Sequence, residues 1–175
     1  LIAAILLEGC LHEAGETSMQ TGKDYPVYGG NKAGNRYSPL DQINTTNVSN
    51  LEIAWMYDAR EGDDTANPLR RVREIQCQPI VVNGILYGTT AELNLFSIDA
   101  ATGKHLWKFE PVKNDQKFNT NRGVMYWENG DDKRILYTAG ANLYAIDAGS
   151  GKRVTEFGKN GIVDLHEGLG TGLDH

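Results

Sequence analysis

"LFSIDAATGKHLWKF", residues 95–109, occurs a second time as "LYAIDAGSGKRVTEF", residues 143–157. Each copy is typical of a strand, a tight turn and a second strand, because Asp bonds turn amides and Gly tolerates a left-handed backbone. The second copy is imperfect, since Thr155 stands where the first copy has Trp107. A shorter match is "AWMY" at 54–57, which resembles "LWKF" in the first copy. The chain therefore repeats one β-hairpin, and we expect the copies to occupy equivalent places in the fold.

Further short strands surround the repeated hairpin. "PIVV" and "ILYGTT" are separated by Asn83-Gly84, which is the strongest short hairpin signal. "GVMYWENGDDKRILYTAG" at 123–140 indicates a strand, a turn and a strand. "LEIAWMYD" at 51–58 is another strand candidate, whereas the charged and irregular residues 59–74 indicate a long loop.

The spacing of these strands indicates the architecture. A unit of about fifty residues with four short strands has the size of a propeller blade. One blade cannot bury both faces of its sheet, so it needs neighbouring blades. The sequence therefore predicts an all-β fold, a β-propeller, of which residues 25–175 supply roughly the first two blades, with Trp107 wedged between neighbours. Because two blades do not close a ring, we expect the N-terminal part of a longer protein. A β-sandwich with chance resemblance between its hairpins is the alternative.

Composition and charge restrict the classes of function. Twenty Gly and eight Tyr among 175 residues favour a turn-rich β protein over a helical one. Seventeen basic and 23 acidic residues give a net charge of −6. Nucleic-acid binders usually carry a basic face, so we expect no nucleic-acid partner.

The first 24 residues differ from the rest of the chain. "LIAAILLEGC" is too short an apolar run to span a bilayer as a helix, and it resembles the end of an export signal with a lipoprotein-type box at Gly9-Cys10. We expect residues 1–24 to be a signal remnant and polar tether. The protein is then exported to the periplasm and anchored to a membrane by a lipid on Cys10. An ordinary buried strand or helix end is the alternative, and Cys77 is expected to be a lone thiol that packs as a small apolar residue.

Two further motifs give a family resemblance. "YGGNKAGNRYSPLDQINTTNVSNLEIAW" at 28–55 resembles the opening of the pyrroloquinoline-quinone (PQQ)-dependent dehydrogenases. "TNRGVMYW" at 120–127 resembles the segment of that family whose Arg contacts the quinone, and the repeated hairpin resembles its blade motif. The resemblance covers roughly residues 25–170.

The resemblance implies an exported, eight-bladed propeller that oxidises an alcohol, sugar or polyol by hydride transfer to PQQ. It also implies calcium or another divalent cation, and an electron acceptor such as cytochrome c or a membrane quinone. Arg122 is the implied cofactor contact, because it keeps its charge near neutral pH and can stabilise negative charge on a quinone oxygen. Gly123 lets the backbone approach a flat ligand closely. An exposed Arg122 that pairs with Asp131 or Asp132 is the alternative.

The sequence departs from the family pattern in three ways. "KNDQKFNT" at 113–120 lacks the adjacent cysteines of many alcohol-oxidising relatives and resembles the glucose and polyol branch. Gln76 stands where many relatives place a Glu near a cofactor carboxylate; an amide can still donate a hydrogen bond, so Gln76 stays a candidate cofactor contact. The family's catalytic Asp and its calcium ligands lie beyond residue 175, so this chain is assigned neither a catalytic residue nor a metal site.

Two alternatives remain open at this point. One is a lipidated, cofactor-free propeller that scaffolds outer-membrane protein assembly; it would share the blade motif but is not expected to carry "NRGVMYW". The other concerns His166 and Glu167, which could pair as a metal site or lie in an ordinary loop contact.

Overall fold

The computed structural model describes residues 24–31, 33–59, 75–112 and 120–169, which form two antiparallel four-stranded sheets. In both sheets, neighbouring strands follow the order of the chain. The first sheet contains β1 (Ile80–Val82), β2 (Ile85–Thr89), β3 (Leu95–Asp99) and β4 (His105–Phe109). The second contains β5 (Met125–Asn129), β6 (Asp132–Ala139), β7 (Asn142–Asp147) and β8 (Ile162–Asp164). A short 3-10 turn, Val48–Asn50, precedes them. The all-β prediction and the two blades are therefore confirmed.

The turns form where the sequence places residues that tolerate them. Asn83 and Gly84 have φ values of 51° and 76°, the two positive values that a type I′ hairpin turn needs. Asp99 Oδ1 accepts hydrogen bonds from the Thr102 amide and hydroxyl, both at 2.8 Å. The Thr102 hydroxyl and then its amide hold the pKa of Asp99 below its usual value. Asp147 Oδ1 accepts the corresponding Ser150 amide bond at 2.7 Å, so both aspartates are turn formers.

Two tryptophans, Trp107 and Trp55, make the same kind of contact with the turn of the repeated hairpin that follows each of them in the chain. Trp107 Nε1 donates to the Ala148 carbonyl of the second blade at 3.1 Å, and its ring covers Gly151. A Cβ at Gly151 would lie 2.6 Å from that ring, so only glycine fits there. Trp55 repeats this arrangement, because Nε1 donates to the Ala100 carbonyl at 3.1 Å and the ring covers Gly103. The prediction that Trp107 wedges between neighbours is confirmed, and we call its contact with Ala148 and Gly151 the seam.

The core lies between the two sheets and consists of side chains from both. Tyr144 is completely buried, and its hydroxyl oxygen accepts the Val112 amide at 3.2 Å. Its ring lies 5.4 Å from that of Tyr137 and 5.6 Å from that of Phe109 in the first blade. Cys77 is half-buried and packs against this core as a free thiol. Contact between the blades therefore buries the apolar faces that neither sheet covers alone.

Residues 51–58 were predicted to form a strand, and that prediction is wrong for the described part of the chain. The segment is extended, but no described residue pairs with its backbone in a ladder. Its side chains still alternate: Trp55 and Tyr57 are half-buried, whereas Met56 is 83% exposed. The Tyr57 ring lies 4.8 Å from Phe96 of the first blade. The periodicity therefore identified the packed face, but a strand also needs a hydrogen-bonding partner.

The second copy of the repeat also ends differently from the first. In the first blade, Ile98 pairs with His105 and Phe96 pairs with Lys108. Two residues therefore separate the two paired positions, His105 and Lys108. In the second blade eight residues separate the corresponding positions, Arg153 and Ile162. The Ala145 carbonyl accepts a hydrogen bond from the Val154 amide at 2.9 Å, and the Ala145 amide donates to the Gly161 carbonyl at 3.1 Å. Residues 155–160 lie between these two bonds and form an exposed loop. The predicted strand at the end of the second copy, which includes Thr155, is therefore replaced by this loop and by β8.

Positive φ values at Gly158 (53°), Asn160 (55°) and Gly161 (84°) explain why the loop forms. These residues follow the repeat directly and adopt a backbone that interrupts a strand. The Gly161 amide donates to the Phe157 carbonyl at 2.8 Å, which closes the loop on itself. The "FGKNG" stretch therefore decides where β8 begins.

Candidate functional site

The two blades meet where their first strands begin. The Gln78 amide, two residues before β1, donates to the Arg122 carbonyl at 3.1 Å. Gln78 and Gly123 form a parallel bridge, which aligns the segments that lead into β1 and β5. Residues that are far apart in the sequence thus reach one end of both sheets.

A cavity of about 700 Å³ opens at this end of the sheets. It brings together all three cofactor-contact candidates from the sequence, Gln76, Arg122 and Gly123. The other polar side chains of its wall belong to Tyr28, Gln78, Tyr137 and Thr138. None of the described residues that line the cavity is acidic, and Arg122 is the charged one among them. The cavity therefore presents hydrogen-bond donors and one positive charge.

Arg122 is exposed, and none of the described carboxylates lies within ion-pair distance of its guanidinium. Asp132, one of its predicted surface partners, is held instead by Arg134, whose Nε and terminal nitrogen lie 2.7 and 2.5 Å from the two carboxylate oxygens. Asp131 makes no ion pair with Arg122 either. The surface-pair alternative is therefore wrong, and the guanidinium charge is available to the cavity.

Asn121 fixes the backbone on both sides of Arg122. It is 5% exposed, and its Nδ2 donates to the Thr138 carbonyl of β6 at 3.0 Å. Its Oδ1 accepts the Gly123 amide at 2.9 Å. Sequence reasoning missed Asn121, although an Asn two residues before a Gly is a known signal for a side-chain-bonded turn.

Gly123 is not required by the protein's own packing. Among the described residues other than its chain neighbours, a Cβ built there would meet only the Gln78 carbonyl oxygen, at 3.8 Å, which is ordinary van der Waals contact. Its φ lies outside the left-handed region, so an alanine would adopt the same backbone. Gly123 lines the cavity, and no described side chain is within 4 Å of the position that its Cβ would take.

Tyr137 is among the residues that line the cavity, but its hydroxyl is buried. The residue is 2% exposed, yet its hydroxyl has no hydrogen-bond partner among the described residues. Burial raises the pKa of Tyr137, and the neighbouring Tyr144 raises it further, so the phenol stays protonated. A buried, unpaired hydroxyl is costly unless something bonds to it. The sequence did not indicate this, because a tyrosine in an alternating strand is typical of the core.

The remaining predicted sites take less part in this arrangement. Cys10 and the end of the chain from residue 170 lie outside the described residues. His166 Nδ1 lies 3.2 Å from Asp164 Oδ1 in an exposed loop, which is the ordinary loop contact. Within the described ranges, no three His, Cys, Asp or Glu side chains converge as metal ligands. The same ranges contain no helix long and apolar enough to cross a membrane.

Comparisons with known proteins match most of the chain. The family model "PQQ: Glucose/ethanol/alcohol dehydrogenase, beta-propeller domain" matches residues 25–174. The quinoprotein glucose dehydrogenase A of Acinetobacter calcoaceticus is 36% identical over an alignment of 166 positions, which covers 82% of this chain and 20% of that protein. The dehydrogenase subunit of the quinone alcohol dehydrogenase of Gluconobacter oxydans is 39% identical over an alignment of 110 positions, which covers 59% of this chain and 13% of that subunit.

Solved structures give the same result. The crystal structure of the quinohemoprotein alcohol dehydrogenase from Comamonas testosteroni superposes with a TM-score of 0.68 at 29% identity, over 87% of this chain and 21% of that one. The chain thus spans about a fifth of the length of the relatives that it matches over most of its residues. The described cavity, the tryptophan seam and these matches agree: the chain belongs to the family of PQQ-dependent glucose, ethanol and alcohol dehydrogenase β-propellers.

Proposed function

We propose that the complete protein is a PQQ-dependent dehydrogenase that oxidises a sugar, a polyol or an alcohol. One observation carries the proposal: the cavity at the junction of the blades holds the unpaired guanidinium of Arg122 and no acidic side chain among its described residues. Relatives are named as glucose dehydrogenases and alcohol dehydrogenases, which supports small-molecule substrates. The cofactor-free scaffold is not favoured, because a scaffold gives no reason for a donor-lined cavity at this position.

The residues of the cavity fit a planar tricarboxylate such as PQQ. Arg122 offers a charged, forked donor for a carboxylate or a quinone oxygen. Gly123 leaves space for a flat ring, because the nearest atom to its Cβ position among the described residues, apart from its chain neighbours, is the Gln78 carbonyl oxygen at 3.8 Å.

Gln76 suits the same ligand through its neutral amide. The side-chain amide nitrogen of glutamine, Nε2, can donate a hydrogen bond to a carboxylate without carrying a charge of its own. Gln78 adds a second amide to the same wall. With no described carboxylate in the lining, this wall does not repel an anionic ligand.

When bound, PQQ supplies the quinone that accepts a hydride from the substrate. Arg122 would stabilise the negative charge that develops on a quinone oxygen, because its own charge is fixed and is not neutralised by a described carboxylate. Asn121 keeps Arg122 in place by bonding the Gly123 amide and the Thr138 carbonyl. The base that removes the substrate proton is not assigned to a residue of this chain.

Three further features belong to the same proposal. We infer a divalent cation, calcium or another, because the family resemblance implies one; its ligands would come from outside the described residues. A cytochrome c or a membrane quinone would accept the electrons. Export to the periplasm and a lipid on Cys10 are supported by the apolar run before Gly9-Cys10. Replacing Cys10 with Ser would move the full-length protein from the membrane to the soluble fraction, and an unchanged distribution would contradict the anchor.

Dye-linked oxidation by the full-length protein, with PQQ and Ca²⁺ at saturation, tests the proposed function. Arg122→Ala is expected to lower kcat about a hundredfold to a thousandfold, the effect of losing one donor to developing charge, about 2.7–4 kcal/mol. Arg122→Lys keeps the charge but loses the fork, so it should recover only part of this loss. Arg134→Ala is the control, because that guanidinium is paired with Asp132. Turnover of Arg122→Ala within about twofold of the parent would contradict the assignment.

A further inference from the structure

Tyr28 and Arg36 form a pair of side chains beside the cavity. Tyr28 lines the cavity and is 61% exposed. Arg36 is exposed as well, and one of its terminal nitrogens donates to the Tyr28 hydroxyl at 2.8 Å. The guanidinium carbon lies 5.4 Å from the centroid of the Tyr28 ring. The positive charge of Arg36 is therefore separated from the cavity by a single side chain.

The backbone that carries Arg36 has an unusual conformation. Its φ is 55°, in the left-handed region that residues other than glycine rarely adopt. The Arg36 amide donates to the Gly29 carbonyl at 2.9 Å, and the Gly34 amide donates to the Asn31 carbonyl at 2.9 Å, so the loop closes on itself. Residues held at such φ values cost free energy and cluster at ligand-binding sites.

The start of this loop is anchored to the first blade. Tyr25 forms a bridge with Val81 of β1, through its amide at 2.8 Å and its carbonyl at 2.9 Å. A Cβ at Gly30 would lie 3.0 Å from the Tyr25 ring, so the loop packs closely on this anchor. Tyr28 follows the anchor by three residues, and the blade therefore sets its place at the cavity wall.

The hydrogen bond from Arg36 determines what the Tyr28 hydroxyl can do. Its oxygen accepts from the guanidinium, so its own hydrogen is left to donate, and no acceptor among the described residues takes it. Bonded donors and acceptors polarise one another, so the bond from a cation strengthens this donor. No described carboxylate forms an ion pair with Arg36, so the charge behind the hydroxyl is not neutralised.

A carboxylate on a ligand suits this pair better than a neutral group does. Charge-assisted hydrogen bonds are shorter and about twice as strong as bonds between neutral groups. A neutral hydroxyl would gain the bond from Tyr28 but not the attraction to Arg36. The described lining of the cavity contains Arg122 and no acidic side chain, so an anionic ligand would meet positive charge at two places.

We propose that Tyr28 is a binding residue for a carboxylate of the ligand in this cavity, and that Arg36 is its positioning residue. The carboxylate accepts the Tyr28 hydroxyl hydrogen, while Arg36 holds the phenol oxygen and adds its charge. The inference rests on the proposed function, because it assigns a further contact to the same site. The cofactor or an anionic substrate can supply the carboxylate, and the experiment separates these two sources.

Titration of the full-length apoprotein with PQQ, in the presence of Ca²⁺, tests the cofactor as the source. Tyr28→Phe keeps the ring and removes the hydroxyl, so the Kd for PQQ should rise roughly threefold to tenfold, as expected for an exposed bond to a charged group. Arg36→Gln should give a loss of similar size. Tyr37→Phe is the matched control and should bind as the parent does, because Tyr37 is 69% exposed and is not among the described residues that line the cavity.

Salt dependence separates an effect of charge from a disturbed loop. Salt screens the attraction between exposed charges. The difference in PQQ affinity between Arg36→Gln and the parent should therefore shrink as the ionic strength rises. Arg36→Lys keeps the charge and should lose less affinity than Arg36→Gln. A difference that does not change with salt would overturn the positioning role, because a disturbed loop would give that result.

Kinetics with PQQ at saturation test the substrate as the source. A carboxylated polyol is supplied as substrate, or as a competitor of a neutral polyol. If the substrate carries the carboxylate, Tyr28→Phe should weaken binding of the carboxylated polyol and leave both the KM of the neutral polyol and the Kd for PQQ unchanged. Tyr28→Phe that binds PQQ and the carboxylated polyol as tightly as the parent would overturn the proposal.

The parent protein separates this inference from the proposed function. If the parent binds PQQ and Arg122→Ala weakens that binding, while the Tyr28 and Arg36 variants match the parent with both ligands, only the present inference fails. A parent that binds no PQQ would overturn the proposed function, and this inference with it.

Discussion

Gly151 and Gly123 both lie where the two blades meet, but their surroundings are opposite. At Gly151 the ring of Trp107 occupies the space that a Cβ would need, at 2.6 Å, and φ is 70°. At Gly123 the nearest atom to a Cβ, among the described residues beyond its chain neighbours, would be a carbonyl oxygen at 3.8 Å. The first glycine is explained completely by the protein's own packing, whereas the second is not.

The polar groups of the two regions differ in the same way. At the seam, the Trp107 indole bonds the Ala148 carbonyl and the Asp147 carboxylate bonds the Ser150 amide. At the cavity, the exposed Arg122 guanidinium has no ion-pair partner among the described residues. The seam is therefore expected to determine stability, and the cavity wall to determine binding.

Trp107→Ala should give the largest effect on stability. It removes the indole bond to Ala148 and leaves a gap over Gly151, so we expect a loss of about 3 kcal/mol, the lower end for replacing a large aromatic residue by Ala. Hydrogen exchange of the β7 amides in the full-length protein measures this local opening. Thr155→Ala is the matched control, because Thr155 is the sequence counterpart of Trp107 but lies in an exposed loop. Equal effects of both changes would show that the seam is not special.

The glycine pair gives a smaller but more discriminating effect. Gly151→Ala places a side chain in a left-handed backbone, which alone costs about 1–2 kcal/mol, and its Cβ also collides with Trp107. Gly123→Ala should leave hydrogen exchange unchanged but weaken PQQ binding, since its Cβ projects into open space at the cavity wall. The comparison fails if Gly123→Ala destabilises the fold as much as Gly151→Ala does.

Local sequence patterns predicted the blades well for a physical reason. The Asp99 and Asp147 turns and the Asn83-Gly84 hairpin depend on residues close in the chain, and all form as expected. The segment 51–58 and the end of the second repeat were predicted wrongly, because a strand also depends on a distant partner. Alternation alone cannot supply that information.

The site was predictable in part. Arg122, Gly123 and Gln76 followed from the family resemblance, and they line one cavity. Asn121 and Tyr137 were missed, because their roles depend on burial and on which groups lack a partner, and both are properties of the folded protein. Whether the three predicted residues bind the cofactor remains a prediction.

Direct titration of the full-length apoprotein with PQQ, in the presence of Ca²⁺ and followed by quenching of tryptophan fluorescence, tests the central claim that this cavity binds the cofactor through Arg122. Losing a hydrogen bond to a charged group costs about 1.5–3 kcal/mol, so Arg122→Ala should weaken binding roughly tenfold to a hundredfold. Arg134→Ala, whose guanidinium is paired with Asp132, should bind within about twofold of the parent. Equal affinities of Arg122→Ala and the parent, or an equal loss in both variants, would contradict the account.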